Sequence, residues 1–214
     1  MFRLSPGLFN RQLAVMGQQM LWRRAALCPC RDPDSGGARQ DCPLCTGRGW
    51  SWGHGVPSRA GVVGAMAQRR QADFGQWEDG DVALSVPGDT PMWNAGEKDR
   101  FAFLQGEMPF QAALLHDGLA RLDFTPVRID RCFWLRDGEN AYRDASLPSR
   151  DPVTGRLSWP TGTTQPDAGV RFTVSGTKRP EFFLFAHIPV SRAHFDGLPL
   201  PKLFHCKRLD LLLR

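Results

Sequence analysis

Six cysteines carry the clearest chemical signal in this 214-residue chain. Four of them, Cys28, Cys30, Cys42 and Cys45, fall within 18 residues, while Cys132 and Cys206 stand alone. Zinc favours soft ligands in a tetrahedron, and two short cysteine pairs joined by a loop supply that arrangement. Two disulfides or free thiols are the alternatives for the same four residues. The opening MFRLSPGLFNRQ has no basic-then-apolar secretory pattern, which favours metal over disulfides. Four thiolates would close the coordination sphere, the mark of a structural ion, since catalysis needs an open position. His54 is a candidate to replace one of the four, although an isolated histidine in a Gly-rich loop is ordinarily just exposed. Cys132 and Cys206 lie in strand-like surroundings and read as small buried hydrophobes.

The spacing is Cys28-Pro-Cys30, eleven residues, then Cys42-Pro-Leu-Cys45-Thr-Gly-Arg-Gly49. A Cys-x-x-Cys turn brings two thiolates to one ion, and the glycines after it relieve crowding near the sulfurs. This half resembles the Cys-x-x-Cys-x-Gly-x-Gly knuckle of zinc ribbons and of the J-protein cysteine-rich domain. The other half departs from that pattern, because Cys-x-Cys replaces Cys-x-x-Cys, and a generic zinc knuckle is what remains.

Beyond the cysteines, little points to catalysis. There is no Gly-x-Ser-x-Gly, no phosphate-binding loop with Lys and no His-Glu-x-x-His. His116, His187, His194 and His205 are scattered singly. Asp144, Asp151 and Asp167 read as turn formers, as do Asp79 and Asp81 beside Trp77. A hydrolase with three cysteine ligands and one open position would need a nearby Glu or His base, which the knuckle lacks. The expectation is a protein that is not an enzyme.

The elements that must hold the cysteines read as follows. Ser5 and Pro6 suit a helix start, and Phe9, Leu13, Met16, Met20 and Leu27 form a narrow apolar seam, so residues 5–27 are expected to be helical. That seam would pack on the chain's own core or serve as a docking helix for a neighbouring subunit. Residues 28–58 are rich in Gly, Pro and Asp, a composition that normally cannot bury a core of its own, so something else must order them, and a metal would do so. From residue 59 onward the texture is β. Strands are expected within 61–67, 82–86, 100–104, 119–124, 126–135, 155–160, 169–176, 180–190 and 201–214, with Asp-Gly turns at 79–80, 117–118, 137–138 and 196–197. Val170, Phe172 and Val174 alternate with Arg171, Thr173 and Ser175. The expected fold is mainly β: an antiparallel barrel or sandwich over 59–214, an N-terminal helix over 1–27 and a zinc-knuckle segment over 28–58.

Charge is uneven. Residues 1–72 hold ten Arg against three Asp, a net +7, and the other 142 residues hold 17 Lys plus Arg against 19 Asp plus Glu, a net −2. The basic third could meet nucleic acid or an acidic partner, or form an ordinary solvated face. Arg31, Arg39 and Arg48 surround the knuckle, with Trp50 and Trp52 following, and aromatics among basic residues can stack on bases. The two tryptophans could equally cover the metal loop. No apolar run approaches the ~20 residues of a membrane helix.

Several stretches resemble structural proteins from the morphogenesis clusters of tailed bacteriophages, above all small β-barrel head–tail joining (neck or head-closure) proteins. They are Phe74-Gly-Gln-Trp-Glu-Asp-Gly-Asp-Val-Ala-Leu-Ser-Val-Pro87, Pro91-Met-Trp-Asn, Glu97-Lys-Asp-Arg-Phe101, Gly155-Arg-Leu-Ser-Trp-Pro160 and Leu198-Pro-Leu-Pro-Lys202. The resemblance implies a virion component assembled in the bacterial host cytoplasm, without chemistry of its own. It implies a homo-oligomeric ring in contact with portal, adaptor or tail proteins, whose basic face meets either lumenal double-stranded DNA or an acidic ring. A tail or baseplate location is a variant. A zinc-ribbon nucleic-acid-binding protein is the rival from another class.

Overall fold

A computed structural model of the chain describes residues 5–63, 78, 80–135, 141–152, 154–188, 194–195 and 197–213. Two compact units divide it: residues 1–105 with 181–214, and residues 106–180 between them. In chain order the first unit opens with α1 (Pro6–Met16), β1 (Gln18–Arg23), β2 (Ala25–Leu27), β3 (Trp50–Trp52), β4 (Val56–Val62), β5 (Val82–Val86) and β6 (Arg100–Phe103). The second contributes β7 (Met108–Leu115), β8 (Pro126–Leu135), β9 (Tyr142–Asp144), β10 (Ser149–Arg150), β11 (Leu157–Ser158) and β12 (Arg171–Lys178). The chain then returns to the first unit with β13 (Glu181–Ile188), β14 (His194–Phe195), β15 (Leu198–Pro199) and β16 (Lys202–Arg208), and a 3-10 turn covers Leu209–Leu213.

The mainly β fold expected from the sequence is present. Six strands close into an antiparallel barrel in the order β1-β4-β5-β16-β13-β6. Closure leaves no sheet edge, and alternate side chains fill the interior. Met20 and Trp22 from β1, Leu84 and Val86 from β5, Phe101 and Phe103 from β6, Leu184 from β13, and Phe204 and Cys206 from β16 form that core. Each large apolar side chain taken out of water there contributes on the order of 1.5–3 kcal/mol.

The expected helix over 5–27 ends at Met16, and Gln18–Arg23 is instead the first barrel strand. Gly17 explains the break: its N–H caps Leu13 O at 2.9 Å, and a Cβ there would sit 2.2 Å from that oxygen. Beyond it, Met20 and Trp22 follow the two-residue period of a strand, so the apparent helical seam is split among different elements. The barrel thus draws β1 from the segment expected to be an arm, while residues 106–180 form a unit of their own rather than part of the barrel.

The departure point of that unit is a strand pair. Glu181 pairs with Ala102 and Phe183 with Arg100, so β6 and β13 are neighbours in the barrel although 75 residues separate the two halves of the first unit. The inserted unit is a sheet in the order β7-β12-β8-β9 with a small β10–β11 pair. Phe110, Leu122, Cys132, Trp134, Leu157, Phe172 and Val174 are its buried core. Phe172 and Val174 are buried while Arg171 is exposed, in keeping with the expected alternation. The expected strand at 119–124 reduces to a single bridge between Arg121 and Arg156, and Asp144 lies in β9, where it pairs with Arg131 at 2.7 Å rather than making a turn. Expectations at residues 64–67, Phe74, Trp77, Asp79, 137–138 and Asp196 fall outside the described residues.

Candidate metal centre

The knuckle is the loop of a β-hairpin. β2 and β3 pair Ala25 with Trp52 and Leu27 with Trp50, so residues 28–49 leave and rejoin one short ladder. Within that loop the thiol sulfurs of Cys28, Cys30, Cys42 and Cys45 all lie within 4.8 Å of one another. Cys28 and Cys42 are 3.8 Å apart and Cys30 and Cys45 are 3.4 Å apart, Sγ to Sγ. Both separations far exceed the ~2.05 Å of a disulfide bond. The edge of a tetrahedron with metal–sulfur bonds of ~2.3 Å is about 3.8 Å, which Cys28–Cys42 meets and Cys30–Cys45 falls short of. Cys28, Cys42 and Cys45 are buried and Cys30 is half-buried.

Local backbone geometry explains why CPLCTGRG can present two sulfurs inward. Thr46 N–H donates to Cys42 O at 3.0 Å and Arg48 N–H to Cys45 O at 3.1 Å, closing two tight turns. Thr46, Gly47 and Gly49 all take left-handed backbone, at φ 54°, 81° and 71°, a region glycine enters without penalty. Gly49 joins the halves of the site. Its N–H points at Cys45 Sγ (3.3 Å), and its carbonyl accepts from Cys28 N–H (2.9 Å).

The thiols are unequal before any ion arrives. Backbone N–H groups of Cys45 and Leu44 stabilise the Cys42 thiolate and bring it down to about 6. Burial and the Cys45 thiol push Cys30 up to about 12. At Cys28 the Cys30 backbone N–H pulls downward, but burial and the neighbouring thiols outweigh it and the thiol titrates above its usual range. A dication would override these differences by favouring all four thiolates together. Four soft sulfurs this close together could hold zinc or iron, and an ion bound tetrahedrally by all four would have no open position for a substrate.

The expected basic and aromatic contacts are placed around the same hairpin. Arg31 lies over Trp50 at 5.7 Å, and its Nε donates to Gly36 O at 2.9 Å. Arg48 and Arg100 lie over Trp52 at 5.9 and 5.4 Å, and Trp52 Nε1 donates to Lys98 O at 3.0 Å. Arg39 pairs with Asp41 at 3.1 Å. Both tryptophans are half-buried, and among the described residues the hydrophobic side chains packed against the buried cysteines are Cys30 and Ala38. His54 is exposed and is not among the clustered ligands. Cys132 and Cys206 are fully buried in the separate cores of the two units.

The docking seam is dispersed. Leu13 is half-buried on α1, whose packing partner is β4, and Met20 is inside the barrel. Phe9, Met16 and Leu27 are exposed, as are Leu8 and Val15.

Sequence reasoning missed the buried polar groups that link the barrel strands and, at Asp99, anchor the hairpin to them. Asp99, buried just before β6, accepts Trp22 Nε1 and Gly96 N–H on Oδ2 and Ala25 N–H on Oδ1. Arg100 and Glu181 pair at 2.6 Å with both side chains over nine-tenths buried. Asp81 and His205, read as a turn former and an isolated histidine, form a buried pair at 2.7 Å. The barrel pairing could have pointed to the last of these, since β5 and β16 are adjacent strands.

Among the described residues no helix is long and apolar enough to cross a membrane. No protein-family model matches the chain, and no curated protein matches it.

Proposed function

We propose that this protein is a non-enzymatic structural subunit of a homo-oligomeric ring at the head–tail junction of a tailed bacteriophage, with its hairpin loop ordered by zinc. The observation that carries this is the exposed helix beside a closed barrel. On α1, Leu8, Val15 and Met16 are 59, 86 and 82% exposed, and Phe9 joins them on the same side of the helix. An apolar helical stripe left in water is an interaction surface, and a closed barrel offers a rigid body to which such an arm can attach a neighbouring copy.

The knuckle fits the same role. A zinc tetrathiolate carries a net charge of −2, and Arg31, Arg39 and Arg48 around it offset that charge. Trp52 is already engaged by two guanidiniums and by Lys98 O, which supports a packing role for it over base stacking. Portal, adaptor or tail proteins above and below the ring are its proposed partners, and lumenal DNA would be held by charge without sequence preference.

Light scattering across a concentration series, followed by electron microscopy, tests this. A closed ring that Val15→Asp with Met16→Asp reduces to monomers supports the proposal. A zinc-loaded monomer at every concentration that binds DNA with steep salt dependence overturns it in favour of a nucleic-acid-binding zinc ribbon.

A further inference from the structure

Four unusual features meet at one pocket of about 520 Å³. Its walls are Phe183, Phe185, Leu211 and Leu212, and Lys98, Lys207 and Glu78 complete the lining. The first feature is a β-bulge. Leu184 pairs with Cys206 and Ala186 with His205, so Phe185 is an extra residue in β13, and bulges commonly re-aim a side chain at a site. The second is backbone strain at Lys98, a non-glycine residue at φ 68° whose N–H is tied to Leu184 O at 2.8 Å.

The third is a convergence of positive charge. Lys207 Nζ lies 4.7 Å and Lys98 Nζ 5.7 Å from the Phe185 ring, and Lys98 also lies 5.0 Å from Phe183. Glu78 is 3.3 Å from Lys207, but no carboxylate lies against Lys98 among the described residues. Two ammonium groups brought over one ring repel each other, and an anion between them removes that cost. The fourth is the apolar floor itself, which a bare inorganic anion would leave uncovered.

From these features we infer that the pocket binds a carboxylate carried on an apolar or aromatic group. The carboxylate sits between Lys98 and Lys207 while the apolar part covers Phe183, Phe185 and Leu212. The group is either a free small acid or the C-terminal residue of a polypeptide. This inference does not depend on the ring proposal.

The test is an NMR titration of the full-length protein with 3-phenylpropionate, its uncharged amide, inorganic phosphate, and a short peptide ending in Phe with a free or an amidated terminus. Saturable shifts at Lys98, Phe185 and Leu212 are expected with the acid, and binding of the amide about tenfold weaker or more, the loss of one charge-assisted contact. Lys98→Gly removes the ammonium and relieves the left-handed strain, so it should lose the same factor in affinity while melting no lower than the parent. Lys207→Met should weaken binding likewise. A free-terminus peptide that binds more tightly than the acid identifies a polypeptide end as the ligand, and equal or weaker binding identifies a free acid. Equal binding of acid and amide, equal competition by phosphate, or unchanged affinity in Lys98→Gly would overturn the assignment.

Discussion

The indole N–H of Trp22 donates to Asp99 Oδ2 at 2.8 Å, and the other oxygen of the same carboxylate accepts Ala25 N–H at 2.7 Å. Trp22 is in the barrel core and Ala25 begins the hairpin that carries the four cysteines. A single buried carboxylate therefore fixes the metal loop to the barrel. Gly96 N–H is a third donor to the same side chain, at 3.0 Å.

Asp99→Ala leaves three donors without their acceptor, of which the Trp22 indole N–H is buried while Ala25 and Gly96 N–H are within reach of water. The expected cost is about 1–3 kcal/mol, and the melting temperature should fall by roughly 2–12 °C for a chain of this size. Hydrogen exchange should also quicken in the β2–β3 hairpin, a local effect that a general loss of stability would not single out. Thermal melts and amide exchange on the same variant check both.

The Arg100–Glu181 pair joins β6 to β13 where the inserted unit leaves the barrel. Removing one partner strands a buried charge, so Arg100→Met or Glu181→Leu should each cost about 3–5 kcal/mol. The double variant should lose clearly less than the sum of the two. A double-mutant cycle by denaturant unfolding measures that coupling.

Zinc binding should weaken as pH falls. In the metal-free loop at neutral pH, Cys42 is largely thiolate, with its thiol near 6, whereas Cys30, near 12, and Cys28, also raised, hold their protons. The ion must displace at least those two protons, which makes affinity drop by about tenfold per proton for each pH unit. Below about 6 the Cys42 thiolate takes up a proton as well, and the dependence should steepen. Competition against a chromophoric chelator at pH 6, 7 and 8 gives the slope, and a flat profile would contradict the four-thiolate site.

Residues 106–180 should be removable. Their core shares no residue with the barrel core, and β6 and β13 are already paired where the chain departs and returns. A chain with Gly106–Pro180 replaced by a short Gly-containing turn is expected to fold cooperatively and to keep one metal ion. Its failure to give dispersed NMR signals would show that the barrel depends on the insertion.

The parts legible in the sequence were those determined by near neighbours. CPLCTGRG announces its turns and its two inward sulfurs within eight residues, and Val82–Val86 and Pro126–Leu135 show their strand character in composition. Residues 5–27 misled because Phe9, Leu13, Met16 and Met20 satisfy a helical period, whereas the steric demand at Gly17 appears only once α1 has formed. The β6–β13 pairing across an inserted unit has no local signature. The same is true of Asp99, 77 residues from Trp22, and of Asp81, 124 residues from His205. Lys98 drew no notice because neither its left-handed backbone nor the bulge opposite it is written in the residue types around it.

Native mass spectrometry of the purified protein bears most directly on a zinc-ordered subunit that assembles with its own copies, since it reads metal content and copy number in the same ion. A structural zinc subunit should appear as an assembly of several 23.9 kDa chains with one zinc in each. A monomer without metal, four hydrogens lighter because Cys28, Cys30, Cys42 and Cys45 are joined in two disulfides, would contradict both the site and the assembly.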